Sequence, residues 1–116
     1  FNNLAIKGQI LKQMGKTAEY TALMDEAANM ANMNQLNNMG YQMLNDKDYE
    51  TALKYFKLNV KNNPKNANVH DSLGECYKTM GDKKNAIKSL KKSLSLDPPP
   101  NVKANSEKLL AELGAM

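Results

Sequence analysis

Thirty-four residues separate matching chemistry in this chain: Gly40 and Gly74, Ala52 and Ala86, Leu53 and Ile87, Phe56 and Leu90, Pro64 and Pro98. Lys54 and Lys57 are matched at the same offset by Lys88 and Lys91. A fixed period of this length is the signature of a stacked helical solenoid, in which no unit can bury its apolar face without a neighbour. The period therefore sets the fold class before any residue is asked for chemistry.

Inside each period the apolar spacing is helical. Residues 3 to 14 place Leu4, Ile6, Ile10, Leu11 and Met14 on one helix, and Gly15 breaks it. A partner helix is expected from Thr17 to Met30, inward at Tyr20, Leu23, Met24, Ala27 and Ala28. The second pair runs from Asn34 to Leu44 and from Tyr49 to Val60, with Asn62-Asn63-Pro64 ending it because proline cannot continue the hydrogen-bond ladder. Its inward residues are Leu36, Met39, Gly40 and Met43, then Tyr49, Ala52, Leu53, Phe56 and Val60. The third pair repeats the pattern with Val69, Leu73, Gly74 and Tyr77, a turn at Gly81-Asp82, then Ala86, Ile87, Leu90 and Leu94. After Asp97-Pro98-Pro99-Pro100, one more helix carrying Val102, Leu109, Leu110 and Leu113 is expected to cover the open end of the stack. Seven helices and no strand are predicted.

The same positions resemble the tetratricopeptide repeat: bulky at 4, small at 8, large at 11, Ala at 20, large at 24, small at 27, Pro at 32. Residues from Ala67 supply Leu73, Gly74, Tyr77, Gly81, Ala86, Leu90, Ser93 and Pro98, and residues from Met33 supply Leu36, Gly40, Met43, Tyr49, Ala52, Phe56 and Pro64. Asn59 departs from the second unit's pattern at position 27, and Tyr20 replaces the usual Ala in a first unit of thirty-two residues that lacks the proline. The resemblance implies an all-α fold: a right-handed α-solenoid of three tetratricopeptide-like helix pairs plus a C-terminal capping helix. The chain reads as one domain over 1–116, with repeats at 1–32, 33–66 and 67–100 and the cap at 101–114. The phrases from Leu36 to Pro64 and from Asn68 to Pro98 also look like the helical tail of certain multidomain proteins of Bacteroidetes-type bacteria, some exported and of unknown function, others serine hydrolases. A first residue Phe1 rather than Met fits a piece of something longer.

In tetratricopeptide proteins, positions 2, 5, 9, 12 and 13 of each first helix line a concave groove that holds an extended peptide or a partner's helix. Carried over, the second unit offers Asn34, Asn37, Tyr41, Leu44 and Asn45, and the third Asn68, Asp71, Glu75, Lys78 and Thr79. The first offers Asn2, Ala5, Gln9, Lys12 and Gln13. Side-chain amides both donate to and accept from an extended backbone, so an Asn-rich stripe with one Tyr suits a protein or peptide partner. The clamp for a terminal carboxylate is not reproduced, since its positions hold Ala5, Gln9, Asn38, Asn68 and Ser72, of which Asn38 alone matches. The expected function is a protein-interaction scaffold. The alternative is a non-catalytic accessory tail docking on a catalytic domain, a hydrolase by the second resemblance.

Composition narrows the other classes. All sixteen basic residues are Lys, and the net charge of +4 therefore lacks the Arg that makes bidentate contacts to phosphate and guanine, so no nucleic-acid partner is expected. No apolar run approaches the ~18 residues of a membrane helix. The one cysteine, Cys76, excludes an internal disulfide and sits at a small packing position. His70 occupies a packing position without a nucleophile or base nearby, so no catalysis is expected. Gly15-Lys16-Thr17 lacks the earlier glycine of a phosphate loop, Ile10 standing there, and reads as a turn. Met24, Met39 and Met43 fall on packing positions rather than in a thioether metal site, and no cofactor is expected. Lys83, Lys84, Lys88, Lys91 and Lys92 give a second helix a basic surface that reads as solvated. Phe1, Ile6 and Ile10 at the N-terminal edge predict self-association into a homo-oligomer.

Overall fold

The protein is described by a computed structural model for residues 17–115, with side chains from residue 22. Six helices and no strand occur among these residues: α1 Thr17–Met30, α2 Met33–Asn45, α3 Tyr49–Asn62, α4 Ala67–Met80, α5 Lys83–Ser95 and α6 Pro100–Glu112. The helix expected over residues 3–14, and with it the edge residues expected to self-associate, lies outside the described residues. The helices expected over 17–30, 34–44, 49–60 and 101–114 are each present within two residues of those bounds, and the third pair is present on either side of the turn at Gly81-Asp82.

Local chemistry sets those bounds. Asn32 and Gln35 form a reciprocal capping box at the start of α2, each side-chain oxygen accepting the other's backbone N–H at 2.9 Å. Asp48 and Asp82, one repeat apart, cap α3 and α5 by accepting from the backbone N–H of Thr51 and Asn85. Pro100 opens α6, where its missing N–H removes nothing from the ladder.

Consecutive helices then interlock at the glycines that define the period. A Cβ on Gly40 would lie 2.5 Å from Cε1 of Phe56, and one on Gly74 would lie 2.6 Å from Cγ of Leu90. The absent side chain lets the bulky residue of the partner helix reach the backbone, so Phe56 and Leu90 are both fully buried. Around Phe56 a continuous core joins Met24, Ala27 and Ala28 of α1 to Leu36, Met39 and Met43 of α2, Ala52 and Tyr55 of α3, and Leu73 and Cys76 of α4. A second cluster ties Leu90 to Leu109 and Leu110 of α6. Tyr55, absent from the expected inward set, is 1% exposed, whereas the expected Tyr49 is only half-buried.

The departure at Asn59 is resolved by hydrogen bonding. Asn59 is fully buried, its Nδ2 donating to the carbonyl of Met33 at 2.9 Å while its Oδ1 accepts from Asn63 at 3.0 Å. A buried amide satisfied on both sides replaces the usual small residue at low cost and fixes the start of α2 against the end of α3.

Candidate functional site

The helices α2, α4 and α6 are joined to one another by side chains, and this first-helix face carries the expected site residues. Tyr41 donates from its hydroxyl to Ser72 Oγ across the α2–α4 seam at 3.3 Å, and its ring meets Phe56 edge-on at 5.1 Å and 74°. Burial, assisted by the carboxylate of Glu75, pushes the Tyr41 phenol above its usual pKa, so the group acts as a neutral donor and apolar surface. One turn before it, the buried Oδ1 of Asn37 has no hydrogen-bond partner among the described residues. A buried acceptor left in that state costs about 1–3 kcal/mol. Asn34 and Asn45 are exposed at the two ends of the stripe.

The α4 residues divide differently. Asn68 and Glu75 are half-buried, but Asp71 is 4% exposed and does not open to solvent as the groove reading expects. Its carboxylate accepts from Asn105 Nδ2 at 2.7 Å and from Ser106 Oγ at 2.6 Å, both on α6. Ser106 Oγ also lies 2.9 Å from Ser93 Oγ. One hydroxyl carries one proton, so with Asp71 ionised Ser93 donates to Ser106 and Ser106 donates to the carboxylate. Lys78 is turned to the same seam, its ammonium 3.1 Å from Glu112. Asp71 and Lys78 thus attach the terminal helix, a role hidden in the sequence because their partners lie more than thirty residues away. The first-unit candidates, Asn2, Ala5, Gln9, Lys12 and Gln13, lie outside the described residues.

This latch carries a pH signature. Burial raises the Asp71 carboxyl above its ordinary pKa, against the lowering effect of the Ser106 and Asn105 hydrogen bonds. A carboxyl whose folded pKa is raised favours folding below the unfolded value of about 3.9, and that advantage is lost as pH rises through the folded value. Asp71→Asn can keep both contacts by reversing the serine chain, so its stability relative to the native chain should increase between acid and neutral pH. Asp71→Ala strands Ser106 and Asn105 and should cost about 1–3 kcal/mol. Urea unfolding of all three at two pH values checks both statements.

The residues weighed for other chemistry are packed. His70 is buried with Nε2 2.8 Å from the carbonyl of Pro64, which can only accept, so that nitrogen carries the proton. Cys76 is fully buried, and desolvation followed by the charge of Glu75 pushes its thiol up to about 11, leaving little thiolate at neutral pH. Met24, Met39 and Met43 are core residues, and no group of three or more His, Cys, Asp or Glu among the described residues could hold a metal ion. No described helix is long and apolar enough to cross a membrane.

Comparison with known proteins agrees with this architecture. A family model described as tetratricopeptide repeat matches residues 67–100. The chain is 34% identical over 82 residues, 70% of its length, to human Protein O-mannosyl-transferase TMTC3, of which the match covers 9%. It is 30% identical over 59 residues, 51% of its length, to the wheat Hsp70-Hsp90 organizing protein, of which the match covers 10%. The chain therefore spans about a tenth of the length of these curated relatives. Among solved structures, the tetratricopeptide domain of Sgt2 from Aspergillus fumigatus superposes with a TM-score of 0.64 at 19% identity, covering 97% of this chain and 78% of that one. PcrH from Pseudomonas aeruginosa superposes with a TM-score of 0.65 at 18% identity, covering 98% and 89%. PcrH has also been solved with the chaperone binding region of PopD. Residues 67–100 are thus a tetratricopeptide repeat, and the fold is the all-α helical repeat of tetratricopeptide domains.

Proposed function

We propose that this chain is a protein-interaction module that holds an extended segment of a partner against the face built by its first helices. The reading rests on Asn37: a buried acceptor without a partner among the described residues, one turn from the ring and hydroxyl of Tyr41. The half-buried Asn37 side chain can turn that oxygen toward an approaching peptide N–H and accept from it. Asn34, Asn37, Tyr41 and Asn45 form the centre of the site, with Asn68 and Glu75 continuing it on α4. Asp71 and Lys78 support it from the α4–α6 seam. The neighbours' own partners, PopD for PcrH and pHSP90 for the yeast Sti1 domain, make a polypeptide the natural class of ligand. Recognition of a terminal carboxylate by the usual clamp does not fit, because Ser72 is buried and bonded to Tyr41 and only Asn38 matches the pattern. The reading assigns the chain no catalytic step.

A second reading is favoured by the small share of the relatives that the chain spans. In it the repeats are the accessory tail of a longer protein, in keeping with the resemblance to bacterial multidomain tails, and the same face docks a domain of that protein. Affinity capture from the source organism's extract separates the two. A partner retained by the native chain and lost from the Asn37→Ala and Tyr41→Ala baits supports the module. Identical captures by all baits would count against it.

A further inference from the structure

The second helices carry a different surface. Between α3 and α5 a recess of about 610 Å³ has an apolar floor of Val60, Leu73 and Tyr77 and a rim of Lys88, Lys91 and Lys92. That size is typical of specific ligand sites. We propose that this groove is a second binding site, for an acidic amphipathic helix of a partner protein.

Charge is the first argument. α5 carries five lysines and no acidic residue, and none of the five forms an ion pair among the described residues. The equivalent recess one repeat earlier, between α1 and α3, is lined by Lys54 and Lys57, but there Asp25 pairs with Lys54. In the earlier recess one of three lysines, Lys54 among Lys54, Lys57 and Lys61, is thus paired, whereas none of Lys88, Lys91 and Lys92 is paired in the later one among the described residues. Exposed ammonium groups without partners on the rim of an apolar floor attract carboxylates.

Shape is the second. The floor contributed by α4 follows His70, Leu73 and Tyr77, and the α5 wall follows Asn85, Ser89 and Lys92. Both ridges advance by three or four residues over two helical turns, about 10 Å. A helix presenting apolar side chains at i, i+4 and i+7 has the same pitch, and glutamates flanking that stripe reach the lysine rim. Nucleic acid would use the lysines and leave the floor wet, and a flat bilayer cannot enter a recess.

The test uses a helical peptide with leucine at every third and fourth position and glutamate on both flanks, labelled for fluorescence anisotropy. Binding should be saturable and weakened at least tenfold by Lys88→Glu/Lys91→Glu/Lys92→Glu, whose three positions are solvent-exposed. If that variant is not equally helical, the corresponding alanine triple is used and the same loss is expected. In nitrogen-15 spectra the shifted amides should include Val60, Tyr77 and Ser89. Absence of binding, equal binding of a peptide with lysine in place of glutamate, or insensitivity to the lysine variants would overturn the proposal. So would shifts confined to Asn34, Asn37 and Tyr41, or stronger competition by single-stranded DNA or phosphatidylserine vesicles than by unlabelled peptide.

Discussion

Phe56→Ala is expected to cost about 3–5 kcal/mol, the range for emptying a fully buried aromatic site. Phe56 has no exposed surface, fills the space left by Gly40, and supports the Tyr41 ring by an edge contact at 5.1 Å. Against a total stability on the order of 5–15 kcal/mol for a domain of this size, the variant should be partly unfolded at 37 °C and should lose the first-helix site with it. Phe56→Leu is the informative companion, because the equivalent position one repeat later is Leu90. It keeps most of the volume and should cost less than about half as much. The midpoint and slope of urea unfolding report both, and a loss below ~1 kcal/mol for Phe56→Ala would show that the interlock is not what holds α2 to α3.

The second large effect is expected at the other interlock. Leu90→Ala should cost about 2–5 kcal/mol, since Leu90 fills the pocket of Gly74 and also anchors Leu109 and Leu110 of α6. Gly74→Ala alone forces a Cβ to 2.6 Å from Leu90 Cγ and 3.3 Å from the carbonyl of Ala86. That overpacking costs about 1–3 kcal/mol, less the roughly 1 kcal/mol gained in helix propensity. Each substitution creates what the other needs, a cavity or a filler. The double variant should therefore be more stable than the sum of the singles predicts, by at least about 0.5 kcal/mol. Additivity within the error of the cycle would mean that Gly74 and Leu90 are not packed against each other.

These two interlocks were legible in the sequence because they repeat: glycine and a bulky partner recur at a fixed offset, and local spacing placed both on helices. Tyr55 was not, for a geometric reason. A single inward stripe was assigned to each helix, but a second helix in a stack touches both its own partner and the preceding unit. Its buried surface therefore spans Ala52, Tyr55, Phe56 and Asn59. The buried hydrogen bonds of Asn59 and Asp71 were not legible, because a polar residue carries no mark of partners that lie far along the chain. For Asp71 those partners are 34 and 35 residues further on, which local periodicity cannot supply. Within the candidate site, the stripe Asn34, Asn37 and Tyr41 came from the tetratricopeptide resemblance, which implies groove positions on each first helix. The unsatisfied oxygen of Asn37 emerges only when the surrounding packing is known.

That oxygen also gives the most direct test of the interaction site. Asn37→Ala removes a buried acceptor that nothing among the described residues satisfies, so the free chain should be as stable as the native one or more stable. The same change deletes the contact offered to a partner's backbone, so affinity for the captured partner should fall about tenfold, equivalent to ~1.4 kcal/mol. Both are read from one preparation, stability by urea unfolding and affinity by titration calorimetry. Unchanged or raised stability with weakened binding is the result expected for a site that holds a partner. Lowered stability with unchanged affinity would make Asn37 a structural residue and contradict the account.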